Sequence, residues 1–269
     1  MVMDIHTAHL SFVGGRRRNE DALLFWDASD ASCWVVSDGA GGHGNGDLAS
    51  RIVVETVIAE FRACQEVSSE RVSALIQLAQ AAVLDVKRES GQDMYATCVV
   101  LLVDRQNRRA VWGHVGDSRL YMFREGRLCY QTRDHSLVQN MIDAGYGSID
   151  MIRTHPNRNM LTSAIGNDGE LETTVSDQLL SLIEGDTFLL CSDGWWEHVT
   201  EQQMEQLLAQ ESGQCRKWLD AMASVVAHES DRGGDNYSAL SVAISAARQP
   251  SDDEVTVLVP THARRNLTA

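Results

Sequence analysis

Two apolar runs in this chain drive into the same tripeptide: Cys33-Trp34-Val35-Val36 leads to Ser37-Asp38-Gly39, and Phe188-Leu189-Leu190-Cys191 leads to Ser192-Asp193-Gly194. A short apolar run bounded by a turn reads as a buried strand, so each strand delivers a carboxylate to a turn. A single Asp-Gly is ordinarily no more than a turn. Repetition changes that weighing, because a hairpin turn needs no apolar strand to feed it. Two more aspartates sit beside glycine, in Val115-Gly116-Asp117-Ser118 and in Gly233-Gly234-Asp235-Asn236, and Asn19-Glu20-Asp21 precedes another apolar run. Acidic groups that converge without a cation repel one another strongly. Hard cations such as Mg²⁺ or Mn²⁺ require oxygen ligands on rigid elements, with glycine admitting the backbone closely. The pattern predicts a site for more than one metal ion.

Nucleotide binding is the rival reading, since Gly39-Ala40-Gly41-Gly42-His43-Gly44 formally matches G-x-G-x-x-G after a strand. Its context is wrong. Asp38 would aim a carboxylate at the pyrophosphate, and the helix that follows leads into a second helix instead of a parallel strand.

Strand patterning covers 5–12, 22–26, 33–37, 96–104, 109–115, 120–124, 127–131, 171–178, 187–191 and 237–244, with short turns that favour antiparallel meanders. Helical spacing covers 47–64, 69–89, 136–144, 201–210 and 215–228. Two consecutive long helices between strand groups fit an α+β layered domain, with helix pairs packed on sheets. The chain of 269 residues, 43% hydrophobic, is long enough to bury a large core. We read 1–246 as one domain and 247–269 as a polar, mostly disordered tail. No apolar run approaches the roughly 18 residues of a membrane span, and no secretory signal opens the chain, so the expected location is cytoplasmic. A formal net charge of −15 argues against nucleic acid or an anionic membrane as partner. The six cysteines form no CxxC pair, and Cys33, Cys98 and Cys191 lie in apolar runs as core residues would.

The ordered fragments R-x-x-x-N-E-D, S-D-G-x-G-G-H, V-G-D-S-R-x-Y, D-H-S-L-V, H-P-x-R-N-x-L-T-x-A-I-G, L-L-C-S-D-G and D-N-Y-S resemble the bacterial branch of the metal-dependent protein phosphatases, the PPM or type 2C family. The resemblance spans about residues 5 to 245. It implies an αββα sandwich, two central antiparallel sheets flanked by helix pairs, with Mn²⁺ or Mg²⁺ in a cleft at one edge. By the same resemblance Asp38 bridges two ions, the Gly39 carbonyl completes one, and Asp193 and Asp235 hold the other. Glu20 reaches a metal through water, Asp21 orients waters, Asp117 serves a third, weaker ion, and Arg16 receives the substrate phosphate. The implied activity is hydrolysis of phosphoserine and phosphothreonine on proteins, opposing a bacterial Ser/Thr kinase. Two divalent ions lower the pKa of a shared water enough for attack on phosphorus near neutral pH, and the planar guanidinium of Arg16 can hold two phosphate oxygens at once.

Several positions depart from that pattern. Ala40 stands where bacterial relatives usually carry methionine and animal ones a histidine proposed as general acid, so no general acid transfers to it. His43 is either a catalytic group or a solvated loop residue. Trp195-Trp196 is unusual after the second Asp-Gly, and reads as core packing or as a peptide-contacting rim. Arg17 and Arg18 share the phosphate or face solvent. The segment 137–166 corresponds to the family's mobile flap, with Asp134-His135 and His155-Pro156 positioning it. Behind the acidic run 252–254, Thr256 is either part of a solvated stretch or a phosphosite read by a phosphothreonine-binding partner.

Overall fold

The alternation of side chains along the strands decides the architecture. In the computed structural model, which describes residues 3–40, 45–230, 234–246 and 254–258, the chain begins with β1 (Met3–Phe12), β2 (Asp21–Asp27) and β3 (Ala31–Ala40). The helices α1 (Gly46–Ala63) and α2 (Ser69–Ser90) follow, then β4 (Tyr95–Ala96), β5 (Cys98–Asp104), β6 (Arg109–Val115), β7 (Arg119–Arg124) and β8 (Arg127–Gln131). The middle of the chain carries α3 (Leu137–Asp143), α4 (Met151–Thr154), β9 (Thr174–Val175), β10 (Leu180–Ser181) and β11 (Thr187–Cys191). It ends with α5 (Asp193–Trp196), α6 (Glu201–Gln210), α7 (Cys215–Ser230), β12 (Tyr237–Ala246) and β13 (Glu254–Leu258).

One sheet runs in the order β1-β12-β11-β7-β8, and the other β10-β6-β5-β3-β2-β13, with β4 on β3 and β9 on β6. All pairings are antiparallel. Because successive side chains point to opposite faces, Cys33 and Val35 of β3 join Val53, Phe61, Leu75 and Val83 of α1 and α2 in one core. Trp34 and Val36 of the same strand turn the other way and meet Leu120, Phe188, Leu190 and Leu240 of the first sheet. A third core lies beyond, where Tyr121, Phe123, Leu189 and Ala239 pack against Met204, Trp218 and Met222 of α6 and α7. Helix pair, sheet, sheet and helix pair therefore stack in four layers, as the resemblance implies. Local signals agree. Ser68 caps α2 by accepting from Arg71 N–H, Gly91 closes it in the left-handed region at φ 65°, and Thr200 and Gln203 form a capping box on α6.

One expectation needs correction. The strand predicted over 171–178 shrinks to Thr174–Val175, because β6 offers it only Gly113 and His114 as partners. Leu171 and Leu179 instead pack on the core beneath α2, so apolar spacing is satisfied without a ladder. Within the segment read as a polar, mostly disordered tail, Glu254–Leu258 forms β13, which lies antiparallel on β2 with Val255 opposite Trp26 and Thr256 opposite Phe25. Its Val-Thr-Val sequence is β-prone, and the edge of β2 supplies the unpaired backbone groups it needs. The rest of 247–269 lies outside the described residues.

Leu101 is fully buried between the sheets. Leu101→Ala should cost about 2–5 kcal/mol, read as a lower urea midpoint at unchanged slope.

Candidate active site

The carboxylates predicted from the sequence converge because several strand ends meet at one edge of the sandwich. Asp21 opens β2 directly opposite Asp38 near the end of β3. Asp193 begins α5 immediately after β11, and Asp235 precedes β12, the neighbour of β11. Asp117 sits in the turn between β6 and β7, where Gly116 adopts φ 90°. A cleft of about 660 Å³ is lined by Arg16, Glu20, Asp38, Gly39, Asp117, Asp193 and Asp235. Asp21 lies behind it, buried, and Ser192 donates to its Oδ2 at 2.8 Å. That bond ties the two sheets together at the cleft.

Glycine is required where backbone meets backbone. A Cβ on Gly39 would lie 2.0 Å from Gly46 O and 2.7 Å from Glu20 O, and a Cβ on Gly46 would lie 2.6 Å from Gly39 O. The first turn of α1 is thus pressed against the end of β3. Gly14 plays the same part on the far wall, at φ 57° and with room for no Cβ beside Asp235 O.

Burial and like charge raise the acids here. Asp38 is pushed well above the usual carboxylate range by desolvation first, then by Asp21, Asp193, Asp117 and Asp235. Asp193 rises likewise through desolvation, then Asp117, Glu197 and Asp235. Desolvation raises Asp117 to about 7, with Asp134 adding to it, and raises Asp21 to about 6 against the hydrogen bonds of Ser238 and Ser192. Glu20 is raised by desolvation and then by Asp47. Arg16 donates to Asp235 Oδ2 at 2.6 Å, and that bond raises the guanidinium further.

Such a set fits divalent cations by its donor chemistry. Four aspartates and a glutamate face one cleft with Arg16 paired to Asp235, and Asp193 Oδ1 is buried with no hydrogen-bond partner among the described residues. Hard ions take such oxygens. Among the described residues no three side chains are drawn close enough to enclose an ion by themselves. Arg16 engages Asp235. The fit is therefore one of open oxygen valence, with Asp38, Gly39, Asp193, Asp235, Asp117 and Glu20 as the residues able to contribute.

Other predicted positions fall as follows. Arg17, Arg18 and Ala40 line the cleft and are exposed; His43 lies outside the described residues. Trp195 and Trp196 are buried, so the packing reading holds. Asp134 makes a two-pronged bond to Arg119 at 2.7 and 2.8 Å. His135 Nδ1 accepts from Gly116 N–H at 3.2 Å, and His155 Nδ1 accepts from Asn157 N–H at 3.1 Å. Arg158 in the flap grips Glu197 by Nε at 2.6 Å and Nη2 at 3.1 Å.

Three residues given no role in the sequence reading shape the site. Thr97 Oγ1 accepts from Asp38 N–H at 2.8 Å and its own N–H donates to Asp38 O at 2.8 Å, fixing the strand end. Asn236 accepts from Glu20 N–H and donates to Val13 O and Arg18 O, each at 2.8 Å, holding the arginine loop. Ser192 holds Asp21. The serine was visible in both Ser-Asp-Gly repeats and the asparagine in D-N-Y-S; nothing local marks Thr97.

Buried carboxylates opening on one cleft at the edge of an αββα sandwich define a metal-dependent hydrolase fold and site. The sequence model for "Protein phosphatase 2C" matches residues 14–233. A serine/threonine phosphatase, stp, of Listeria monocytogenes is 30% identical over 236 residues, covering 84% of this chain and 90% of that protein. The structure of PppA, a regulatory component of T6SS in Pseudomonas aeruginosa, superposes with TM-score 0.72 at 30% identity, over 90% of this chain and 99% of that one. The catalytic domain of PstP, solved with two manganese ions, shares the fold at 24% identity and TM-score 0.72, over 91% and 100% of the two chains. The chain belongs to the protein phosphatase 2C family, the metal-dependent serine/threonine protein phosphatases.

The raised acids have a sign that can be measured. With Asp21 at about 6 and Asp117 at about 7, the folded chain keeps protons that the unfolded chain releases near its ordinary value of about 3.9. Stability in chelator should therefore fall as pH rises from about 4 to about 7. Excess Mn²⁺ should remove that fall, because a ligand bound only by the folded state stabilises it. Thermal midpoints across this range, with EDTA and with Mn²⁺, check both.

Proposed function

We propose that this cleft hydrolyses phosphoserine and phosphothreonine on proteins with Asp38, Asp193 and Asp235 as ligands of two divalent ions, Mn²⁺ or Mg²⁺, and Asp117 as ligand of a third, weaker one. The single observation that carries the reading is the convergence of Asp38, Asp117, Asp193 and Asp235 on one cleft, a crowding of like charge that bound cations relieve. When bound, the two ions lower the pKa of a shared water and place positive charge against the phosphoryl oxygens. Every other part belongs to the chain.

Asp38 would serve both ions and the Gly39 carbonyl one of them, the strand end that carries both being held by Thr97 and the packing of α1. Asp193 and Asp235 would hold the other ion. Glu20 acts through water, and Asp21, fixed by Ser192, orients water behind Asp38. Arg16 receives the phosphate. Its contact with Asp235 places the guanidinium at the cleft, and its fork suits two phosphate oxygens. Ala40 supplies no proton, so no side chain at that position serves the leaving alkoxide.

The reading extends to partners and place. The substrates are proteins phosphorylated by a bacterial serine/threonine kinase, which this enzyme opposes. The cytoplasm is the proposed location, supported by six free thiols of the kind reducing compartments maintain and by the acidic balance of the chain. Among the described residues no helix is long and apolar enough to cross a membrane. We take 1–246 as the catalytic unit with 247–269 appended to it. The acidic run before Thr256 supports one further partner, a phosphothreonine-binding module that would take Thr256 once β13 leaves the sheet. Mass spectrometry of the chain co-expressed with its kinase, finding Thr256 never modified, would dispose of that partner.

Asp38→Ala and Asp193→Ala should each lower Mn²⁺-dependent hydrolysis of a phosphothreonine peptide by about 10²-fold or more, and excess chelator should abolish it in the unaltered chain. Full activity in either variant or in chelator would contradict the mechanism. Arg16→Ala removes a charge-assisted bond of about 1.5–3 kcal/mol, so KM should rise about tenfold or more. A fall in kcat as well would place the contact in the transition state.

A further inference from the structure

Trp196, one of the two unexpected tryptophans, makes contacts that packing alone does not require. Its indole Nε1–H donates to the backbone carbonyl of Asp117 at 2.9 Å, wholly buried. One face of the ring carries the guanidinium of Arg119, whose Cζ stands 3.5 Å from the ring centroid. Arg119 is itself buried and held by Asp134. Arg153, on the flap helix α4, has its Cζ 5.9 Å from the same centroid and donates from Nε to Trp196 O at 3.0 Å. Arg153 also donates to Glu201 at 2.8 Å, so it is anchored on both sides.

From these contacts we infer that Trp196 is a positioning residue that couples the flap to Asp117. One side chain touches the peptide that carries the Asp117 carboxylate, and the same residue receives the flap's arginine. Cation–π contacts of desolvated guanidinium are strong, and a planar indole transmits a shift of either arginine to its N–H. The Asp117 carbonyl then has one position while the flap is seated and another when it lifts. By reciprocity, a cation on Asp117 favours the seated flap as much as the seated flap favours the cation. The inference rests on reading Asp117 as the ligand of the weaker ion.

The test is calorimetric titration of the full-length protein with Mn²⁺, together with hydrogen exchange over residues 145–158. The unaltered chain should show a tight class and a weaker class, and Asp117→Asn should remove the weaker one. Trp196→Phe keeps a ring for the arginines but deletes the N–H donor. It should weaken the weak class by about tenfold or more, the usual effect of losing an outer-shell partner, and leave the tight class unchanged. In the unaltered chain, Mn²⁺ that fills the weak class should slow exchange in 145–158; in Trp196→Phe it should not. Arg153→Lys, which keeps the charge and loses the planar contact, approaches the joint from the flap and serves if the tryptophan variant does not fold. It should speed exchange in the flap and weaken the same class. A weak class equal in all these variants, its absence from the unaltered chain, or flap exchange indifferent to Mn²⁺ would overturn the inference. Absence of the tight class too would bring down the cation reading of the cleft along with it.

Discussion

Carboxylates cannot be crowded into a low-dielectric space without something to hold them there, and here it is the hydrophobic packing of two sheets. The strands that lead to Asp38 and Asp193 are buried from Ala31 to Ser37 and from Thr187 to Cys191, so the cores on either face fix where each carboxylate emerges. Asp21 is pinned by Ser192 across the sheet boundary and Asp38 by Thr97 from the neighbouring strand. The aspartates are therefore not free to relax away from each other by more than a side-chain rotation. Binding a cation relieves a repulsion that the rest of the molecule has already imposed, which is how a fold prepares a site in advance of its ion.

The second requirement of the chemistry is opposite in sign. A chain with a formal net charge of −15 places three consecutive arginines in the lining of its acidic cleft. Local arrangement overrides the long-range field at that distance, since exposed charges beyond about 10 Å are screened at ordinary ionic strength. Arg16 is engaged with Asp235, while Asn236 supports the loop that carries it through the carbonyls of Val13 and Arg18.

Much of this was legible in the sequence because the same signal served fold and site. An apolar run ending in Ser-Asp-Gly states both that a strand is buried and that its end bears a carboxylate, and helices at 47–64 and 69–89 appear as α1 and α2 within a residue or so. What escaped depended on partners distant in sequence. Leu171 and Val175 have strand-like spacing, yet the ladder they need is only two residues long. Val255 and Val257 have it too, inside a polar segment that looked disordered, and there an open edge was waiting. Thr97 has no local mark at all; its role exists only because β5 runs beside β3. The indole of Trp196 is similar, since a Trp-Trp pair announces burial but not what the N–H will meet.

The contact between Gly39 and Gly46 carries an implication beyond the cleft itself. Neither position can accept a methyl group while the other's backbone stays in place, so the two glycines express a single steric rule, although one lies in a recognisable motif and the other in an ordinary helix start. A comparison that scores positions one at a time would rank Gly46 as a dispensable opening residue. Its replacement would instead lever the helix off the strand and displace Asp38 from behind, disabling the enzyme from a place no ligand touches.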